Sequence, residues 1–450
     1  MPGPGPSTQL SRFTRLALLA AALPFSAAAE DLMQVFRDAQ AYDATYAAAK
    51  RSLEAGKEKG PQGLALLLPT LGLSANATRT RTEVEFRDAA ALNTTRSPDQ
   101  AGYTLTFTQP VFRYQNWIQY DQGQAQVKQA EATYANAYQD LITRVAQAYF
   151  DVLASADTLM LVRAQKEAIA EQLEQAKRNF EVGTATITDT HEAQARYDLS
   201  GAQEIAAQND LEAKRRVLQL ITGKEYTELK PLRADIKMPP PNPNDMESWA
   251  DLAGKQGYPV QVGEAGLQIA QLEARRNRAA HLPTLDFFAT YGQSGATATS
   301  DSSLARDTTQ SVIGLQLALP LYQGGGLSSR DRETAALALK AKDDLDNARR
   351  TAVLTERQIY LSVINGIAQV AALEQALVSS TSALDSNKLG YEVGVRINID
   401  VLNAQQQVFS TKRDLALARY NTLINHLRLK AGAATLREED LEVVNRALGP

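Results

Sequence analysis

The chain repeats itself over almost half its length. Phe180-Glu181-Val182-Gly183 returns 211 residues later as Tyr391-Glu392-Val393-Gly394, and the aspartates that follow, Asp189 and Asp400, keep that offset. Tyr149 matches Tyr360 at 211, Pro110 matches Pro320 at 210, and Leu68-Pro69-Thr70-Leu71 matches Leu282-Pro283-Thr284-Leu285 at 214. Small drifts of this kind are what loop insertions produce between equivalent elements. A 450-residue chain would by length alone divide into two or three compact domains. The repeat requires instead two tandem copies of one structural unit.

Each unit opens with helix and turns to strand. Residues 31 to 60 read as an Ala-rich helix with Leu32, Val35 and Phe36 near its start and Gly60-Pro61 at its end. Leu71, Leu73, Ala75 and Ala77 then alternate with Gly72, Ser74, Asn76 and Thr78, and Tyr103, Leu105 and Phe107 alternate with threonines. This period of two predicts strands at about 64–79 and 102–112, paired as a hairpin around a polar loop that contains Pro98. In the second copy, strands are expected at about 284–298 and 310–321. There Ile313, Leu315, Leu317, Leu319 and Leu321 share one face, and Gly292 to Gln310 forms the loop.

After the strands come helices too long for a compact monomer. Proline is absent between Pro110 and Pro231 and between Pro320 and Pro450, so helices are expected at about 115–182, 187–222, 327–391 and 397–430. The first would be ~100 Å long at 1.5 Å per residue. The return arms are half that, so a second helix, such as 31–60 or 260–280, must stack on each to match it. Leu402, Phe409, Ala416 and Leu423 recur every seven residues, as do Leu377, Leu384 and Tyr391, which is coiled-coil packing. The units therefore run 30–223 and 257–435, joined by a connector at 224–256 around Pro239-Pro240-Pro241-Asn242-Pro243, with a short charged segment at 436–450.

Composition excludes several classes. With 44% apolar and 22% charged residues the chain is that of a folded protein, and no run of Lys and Arg offers a surface for nucleic acid. There is no cysteine, hence no disulfide, Cys-ligated zinc, thiol nucleophile or lipidated N-terminus. Residues 1–29 read as a secretory signal: Arg12 and Arg15, an apolar run from Leu16 to Leu23, Pro24, then Ala27-Ala28-Ala29. Their removal takes the formal net charge from −4 to −6. No later stretch reads as apolar for long enough to cross a membrane as a helix, so a membrane role would fall to the strands.

The strands by themselves fit either a buried sandwich or a lipid-facing barrel. The secretory signal, the lack of cysteine and the aromatic residues near strand ends (Phe112, Tyr114, Trp117, Phe287, Phe288, Tyr322) favour the barrel. Four strands cannot close one when about eight is the usual minimum, and open edges in lipid cost several kcal/mol per unpaired group. The barrel must be shared between chains. Two chains would leave a filled lumen and three a conduit, and the residues do not choose.

No site for chemistry emerges. His191, His281 and His426 have no ligand spacing for zinc. Asp343-Asp344-Leu345-Asp346 lacks the Gly and Glu of a calcium loop, and Gly324-Gly325-Gly326 lacks the lysine of a phosphate cradle. Neither a catalytic constellation nor a cofactor or metal site is expected, and the chain reads as a non-enzyme.

These features together resemble one family. The secretory signal, the duplicated strand-pair and helical-hairpin unit, Leu-Pro-Thr-Leu before a strand, Leu319-Pro320-Leu321-Tyr322-Gln323-Gly324-Gly325 leaving one, and the twin Val-Gly turns followed by Ile187-Thr188-Asp189 and Ile399-Asp400-Val401-Leu402 closely resemble the TolC family of trimeric outer-membrane exit ducts. The likeness spans nearly all of the chain after residue 29. It implies a mixed fold: a membrane β-barrel of twelve strands, shared by three chains, continuing into a long α-helical coiled-coil barrel across the periplasm. It implies an outer-membrane location in a Gram-negative bacterium. It also implies a passive duct for drug efflux or type I protein secretion, joined to a periplasmic adaptor (membrane fusion) protein and an inner-membrane transporter of RND, ABC or MFS type, and opened by untwisting of the coils.

Functional positions follow from the same resemblance. Tyr391 and Arg396 match the family's periplasmic gate, with Thr188 and Asp189 as counterparts on a neighbouring coil. Asp400 matches one acidic selectivity ring; at the second ring position this chain has Asn403, which leaves three carboxylates around the axis instead of six. Val182, Gly183, Val393 and Gly394 become the tips that meet the adaptor. Two other classes are a trimeric envelope spacer or adhesin without an open lumen, and a secreted hydrolase, which the lack of a site disfavours.

Overall fold

The computed structural model describes residues 30–97, 99–233, 236–297 and 304–449. The secretory signal expected at 1–29 lies outside the described residues, as do Pro98, residue 298 of the third expected strand, and 234–235 of the connector.

The first unit holds helices α1 (Leu32–Tyr42), α2 (Ala44–Lys57) and α3 (Lys59–Ala65), then strands β1 (Thr70–Arg79), β2 (Thr82–Val84), β3 (Thr94–Arg96) and β4 (Asp99–Phe112), and helices α4 (Tyr114–Glu181) and α5 (Ile187–Thr222). The connector contributes α6 (Met246–Gln256). The second unit holds α7 (Tyr258–Ala279), β5 (Thr284–Ala296), β6 (Arg306–Ala318), α8 (Gly326–Glu392) and α9 (Asn398–Gly432), followed by α10 (Glu438–Arg446).

The structure corrects several boundaries. The helix expected over 31–60 is three helices, because Asp43 ends α1 and caps α2, its carboxylate accepting from the Tyr46 amide at 2.6 Å. Gly60-Pro61 do not end a helix but sit in the first turn of α3, where proline is tolerated because that amide has no intrahelical partner. Residues 64–69 are accordingly not strand, and β1 starts at Thr70. The polar loop at 79–100 contains the small β2–β3 hairpin. The connector at 224–256 ends in a helix, Met246–Gln256. β6 is shifted toward the N-terminus, running 306–318 rather than 310–321, which leaves Leu319 and Leu321 beyond the strand and highly exposed.

All four long strands pair antiparallel in the order β1-β4-β5-β6, so β4 and β5 join the two copies while β1 and β6 are open edges. Register puts Leu71, Phe107, Ala289 and Ile313 in one row and Leu73, Leu105, Tyr291 and Ser311 in the next on the same face. The opposite face carries Gly72, Ser74, Thr104, Thr106, Thr290 and Gln316. The apolar face is bare: Leu71, Leu73, Ile313, Leu315 and Leu317 are 65–75% exposed. At the helical end of the sheet, Arg113 makes a bidentate ion pair with the buried Asp286.

The long helices are matched by stacking. α4 packs on α5 over one part of its length and on α2, α3 and α7 over another, and α8 likewise packs on α9 and then α7. The core lies where the stacks meet. Leu32, Val35 and Phe36 of α1, Val145, Tyr149 and Phe150 of α4, Leu423 and Leu427 of α9 and Leu441 of α10 form one cluster, each full burial being worth about 1.5–3 kcal/mol. The Tyr149 hydroxyl donates to the Lys230 carbonyl at 2.9 Å, and its repeat mate Tyr360 donates to Asn244 Oδ1 at 2.9 Å. Each thus pins the connector to one unit.

One expectation about apolar stretches is also corrected. α4 and α8 each contain an 18-residue window of mean hydropathy 1.3 and 1.4, long and apolar enough to cross a membrane by composition. Such windows sum the Ala, Val and Leu of interhelical stripes. Half of the α4 window is buried within the chain, whereas 11% of the α8 window is.

Candidate functional site

The two hairpin tips fold by one hydrogen-bond pattern. In the first, the amides of Val182, Gly183 and Thr184 donate to the carbonyls of Arg178, Phe180 and Asn179 at 3.1, 3.0 and 2.8 Å. In the second, Val393, Gly394 and Val395 donate to Leu389, Tyr391 and Gly390 at 3.1, 3.1 and 2.8 Å. Both turns pass through the left-handed region at glycine, with φ of 79° at Gly183 and 78° at Gly394, where a side chain would be strained. Val182 and Val393 project from the tips, 73% and 65% exposed.

Beyond the turns the copies differ. Thr186 caps α5 in a reciprocal box: its hydroxyl accepts from the Asp189 amide at 3.3 Å, and the Asp189 carboxylate accepts from the Thr186 amide at 2.9 Å. The equivalent residue of the second copy is Ile397, which has no side chain to offer α9. Asp400 is thereby released from capping and faces Arg396 at 3.6 Å, one turn away.

The residues expected to form a gate are therefore partnered otherwise within one chain. Tyr391 is half-buried and its hydroxyl accepts from Asn179 Nδ2 at 3.1 Å; Arg396 meets Asp400; Asp189 serves the cap; and Thr188 is exposed on α5. The chain does not bring Thr188 or Asp189 to Tyr391 or Arg396. Asn403 accepts from the Arg196 guanidinium at 3.0 Å, which also reaches Gln406 Oε1 at 2.6 Å.

Sequence reasoning missed the amides that join the two hairpins. Gln172 donates to the buried Asn398 at 2.5 Å, and these amides, with Asn179–Tyr391, Arg196–Asn403 and Arg196–Gln406, tie α4–α5 to α8–α9 near the tips. They flank a small apolar cluster of Ile169, Leu173, Ala176, Ala193 and Leu402. A signal existed: Gln172 and Asn179 are one heptad apart, hence on one face of α4. Among the described residues no group of three or more His, Asp or Glu is placed to hold a metal ion.

A family model described as outer membrane efflux protein matches residues 35–224 and 252–434, one stretch for each copy of the repeat. The chain belongs to the outer membrane efflux protein family. It is 34% identical to the outer membrane protein TolC of Escherichia coli over 429 residues, covering 93% of this chain and 85% of that one. It is 32% identical to the alkaline protease secretion protein AprF of Pseudomonas aeruginosa over 411 residues, covering 89% and 84%. Among solved structures, the outer membrane protein VceC of Vibrio cholerae matches with a TM-score of 0.76 over 90% of this chain and 96% of that one, at 18% identity, which is a likeness of fold. The family is one of outer-membrane channel proteins of Gram-negative bacteria and not of enzymes. As a member, this chain is an outer-membrane protein of the efflux and secretion channel class.

Proposed function

We propose that three copies of this chain form a passive export duct, a twelve-stranded barrel in the outer membrane continued by a helical barrel through the periplasm. The observation that carries this reading is the four-stranded sheet with one bare apolar face and two open edges. A lone open sheet in lipid leaves edge groups unpaired at several kcal/mol each, and pairing β1 of one copy with β6 of the next removes both edges. Polar residues then line the lumen. The exposed stripe of α8, poorly covered within one chain, would lie against a neighbouring copy.

In this reading the hairpin tips are the periplasmic end. Val182, Gly183, Val393 and Gly394 meet a periplasmic adaptor protein, and an inner-membrane transporter of RND, ABC or MFS type supplies the energy for drug efflux, type I secretion or both. Tyr391 and Arg396 hold the coils closed, directly on Thr188 and Asp189 of a neighbouring coil or through the ties to Asn179 and Asp400, and untwisting of the coils opens the end. Asp400 lines the constriction. Its carboxylate is offset by Arg396, and Asn403 is engaged by Arg196, so cation preference is weaker than a doubly acidic ring would give.

Planar-bilayer reconstitution tests the reading. The wild-type protein should conduct poorly, and Tyr391→Phe with Arg396→Ser should raise conductance several-fold. Absence of conductance in both would favour an envelope spacer without a lumen.

A further inference from the structure

The offset of 211 that pairs Tyr149 with Tyr360 also pairs Val145 with Glu356 and Ile221 with Gly432. Where the first copy buries two aliphatic side chains, the second buries a carboxyl group against a glycine. Glu356 is 1% exposed, makes no hydrogen bond, and its Oε1 is wholly enclosed. Gly432 is what admits it, since a Cβ at that position would fall 1.9 Å from Glu356 Oε2. The first copy proves that the fold has an apolar solution for this position. A buried carboxyl group without a hydrogen bond is costly even when protonated, and its ionised form costs several kcal/mol unless a cation is paired with it.

The carboxyl borders a recess of about 470 Å³ between α4 and α8, floored by the end of α9 and lined by Gln139, Asp140, Thr143, Thr351 and Thr355. Among the described residues no Lys or Arg lines it. Asp140 on α4 is held by Arg144, which also binds Asp43. On α8, Arg349 binds Glu264 and Arg357 binds Glu247; on α9, Lys430 binds Asp440; on α6, Lys255 binds Asp251; and α7 contributes Pro259. Each of these bases is thus turned to another acid, and Arg428 of α9 donates to Gln147 Oε1 at 3.0 Å. On α8 the residues toward α6, Val353, Arg357 and Tyr360, lie on the side away from Thr351 and Thr355, because positions two apart differ by about 200° around a helix. The recess therefore opens on the face opposite α6; in a duct with α6 on its outside, that face is the inner wall.

We propose that this recess is a cation site in the duct wall, taking the ammonium head of a small organic amine, with Glu356 as counter-ion and the neighbouring amide and hydroxyl groups as acceptors. The assignment of the recess to the lumen rests on the duct reading; the site itself does not. Without a cation, desolvation by burial pushes the Glu356 carboxyl up to about 8, so the empty site is protonated at neutral pH and ionises when an ammonium enters. The sign follows. The folded chain holds a proton that the unfolded chain releases near its ordinary value of 4.5, so stability conferred by the protonated form is lost as pH rises toward about 8.

The test uses the full-length protein in detergent, with thermal melting followed by helical circular dichroism in n-butylammonium chloride, and sodium chloride and n-butanol as controls. Wild type should melt several degrees higher with the amine than with either control, and more so at pH 8 than at pH 6. Glu356→Gln should lose that rise and the decline in melting temperature between pH 5 and 8. Glu356→Val with Gly432→Ile, which installs the residues of the first copy, should fold and be equally indifferent to the amine. Asp400→Ala should keep the rise, separating this site from the constriction. An amine shift that survives in Glu356→Gln, or one that Asp400→Ala abolishes, overturns the proposal. Conductance in bilayers is scored separately, so failure of the duct reading would appear there and leave this melting result standing.

Discussion

The two hairpin tips are the same turn put to different uses. Both close on a left-handed glycine with matching backbone bonds, and both place an aspartate three residues into the returning helix. In the first, Thr186 ties that aspartate into a capping box. In the second, Ile397 cannot, and Asp400 faces Arg396. One substitution at a cap thus separates a structural carboxylate from an available one. Duplication supplied the geometry twice, and the cap residue decided which copy spends its acid on stability.

The turn itself should be the most sensitive point, and equally so in both copies. Gly183→Val and Gly394→Val each force a β-branched residue to positive φ, at about 1–3 kcal/mol. Melting by circular dichroism should fall by similar amounts in the two variants, and a large inequality would break the claimed equivalence of the tips. Exchanging the caps probes the difference. Thr186→Ile should cost about 0.5–2 kcal/mol, and Ile397→Thr should return a similar gain while drawing Asp400 from Arg396. If Ile397→Thr changes neither melting nor ion selectivity, the cap is not what distinguishes the copies.

Smaller effects concern the ties between hairpins. Asn179→Ala removes the donor to Tyr391 and should cost about 0.5–1.5 kcal/mol while raising bilayer conductance. Unchanged conductance would confine Tyr391 to contacts outside its own chain. The smallest stability effect belongs to Asp400→Ala, about 0.5 kcal/mol or less, because its partner pair is a solvated one-turn pair. Its reversal potential in a salt gradient should nevertheless move toward zero; an unmoved potential would remove Asp400 from the constriction.

Periodicity made the long elements legible. α5 falls where the sequence placed it, at 187–222, and α4 and α8 each begin and end within a residue of expectation, because an unbroken heptad stripe between prolines has one helical solution. Short elements were less so. Asp43 reads as an ordinary polar residue in an Ala-rich helix until its carboxylate is seen capping α2, and the Pro61 turn of α3 looks like a stop until α3 is seen to start there. Of the candidate positions, the twin glycines were visible as a repeated motif. The cross-hairpin ties of Gln172, Asn179 and Arg196 were not, since which polar residue on a helix faces another hairpin depends on how the hairpins are set side by side.

The sequence alone determined the duplication, the helix lengths and the alternation of the strands, since each is a local periodicity written along one chain. The tertiary structure decided the order β1-β4-β5-β6, the partners of Tyr391 and Asn403, and the burial of Glu356 where the first copy has Val145. Those are relations between residues far apart in the chain, and no local pattern encodes which distant groups share a dielectric or a hydrogen bond.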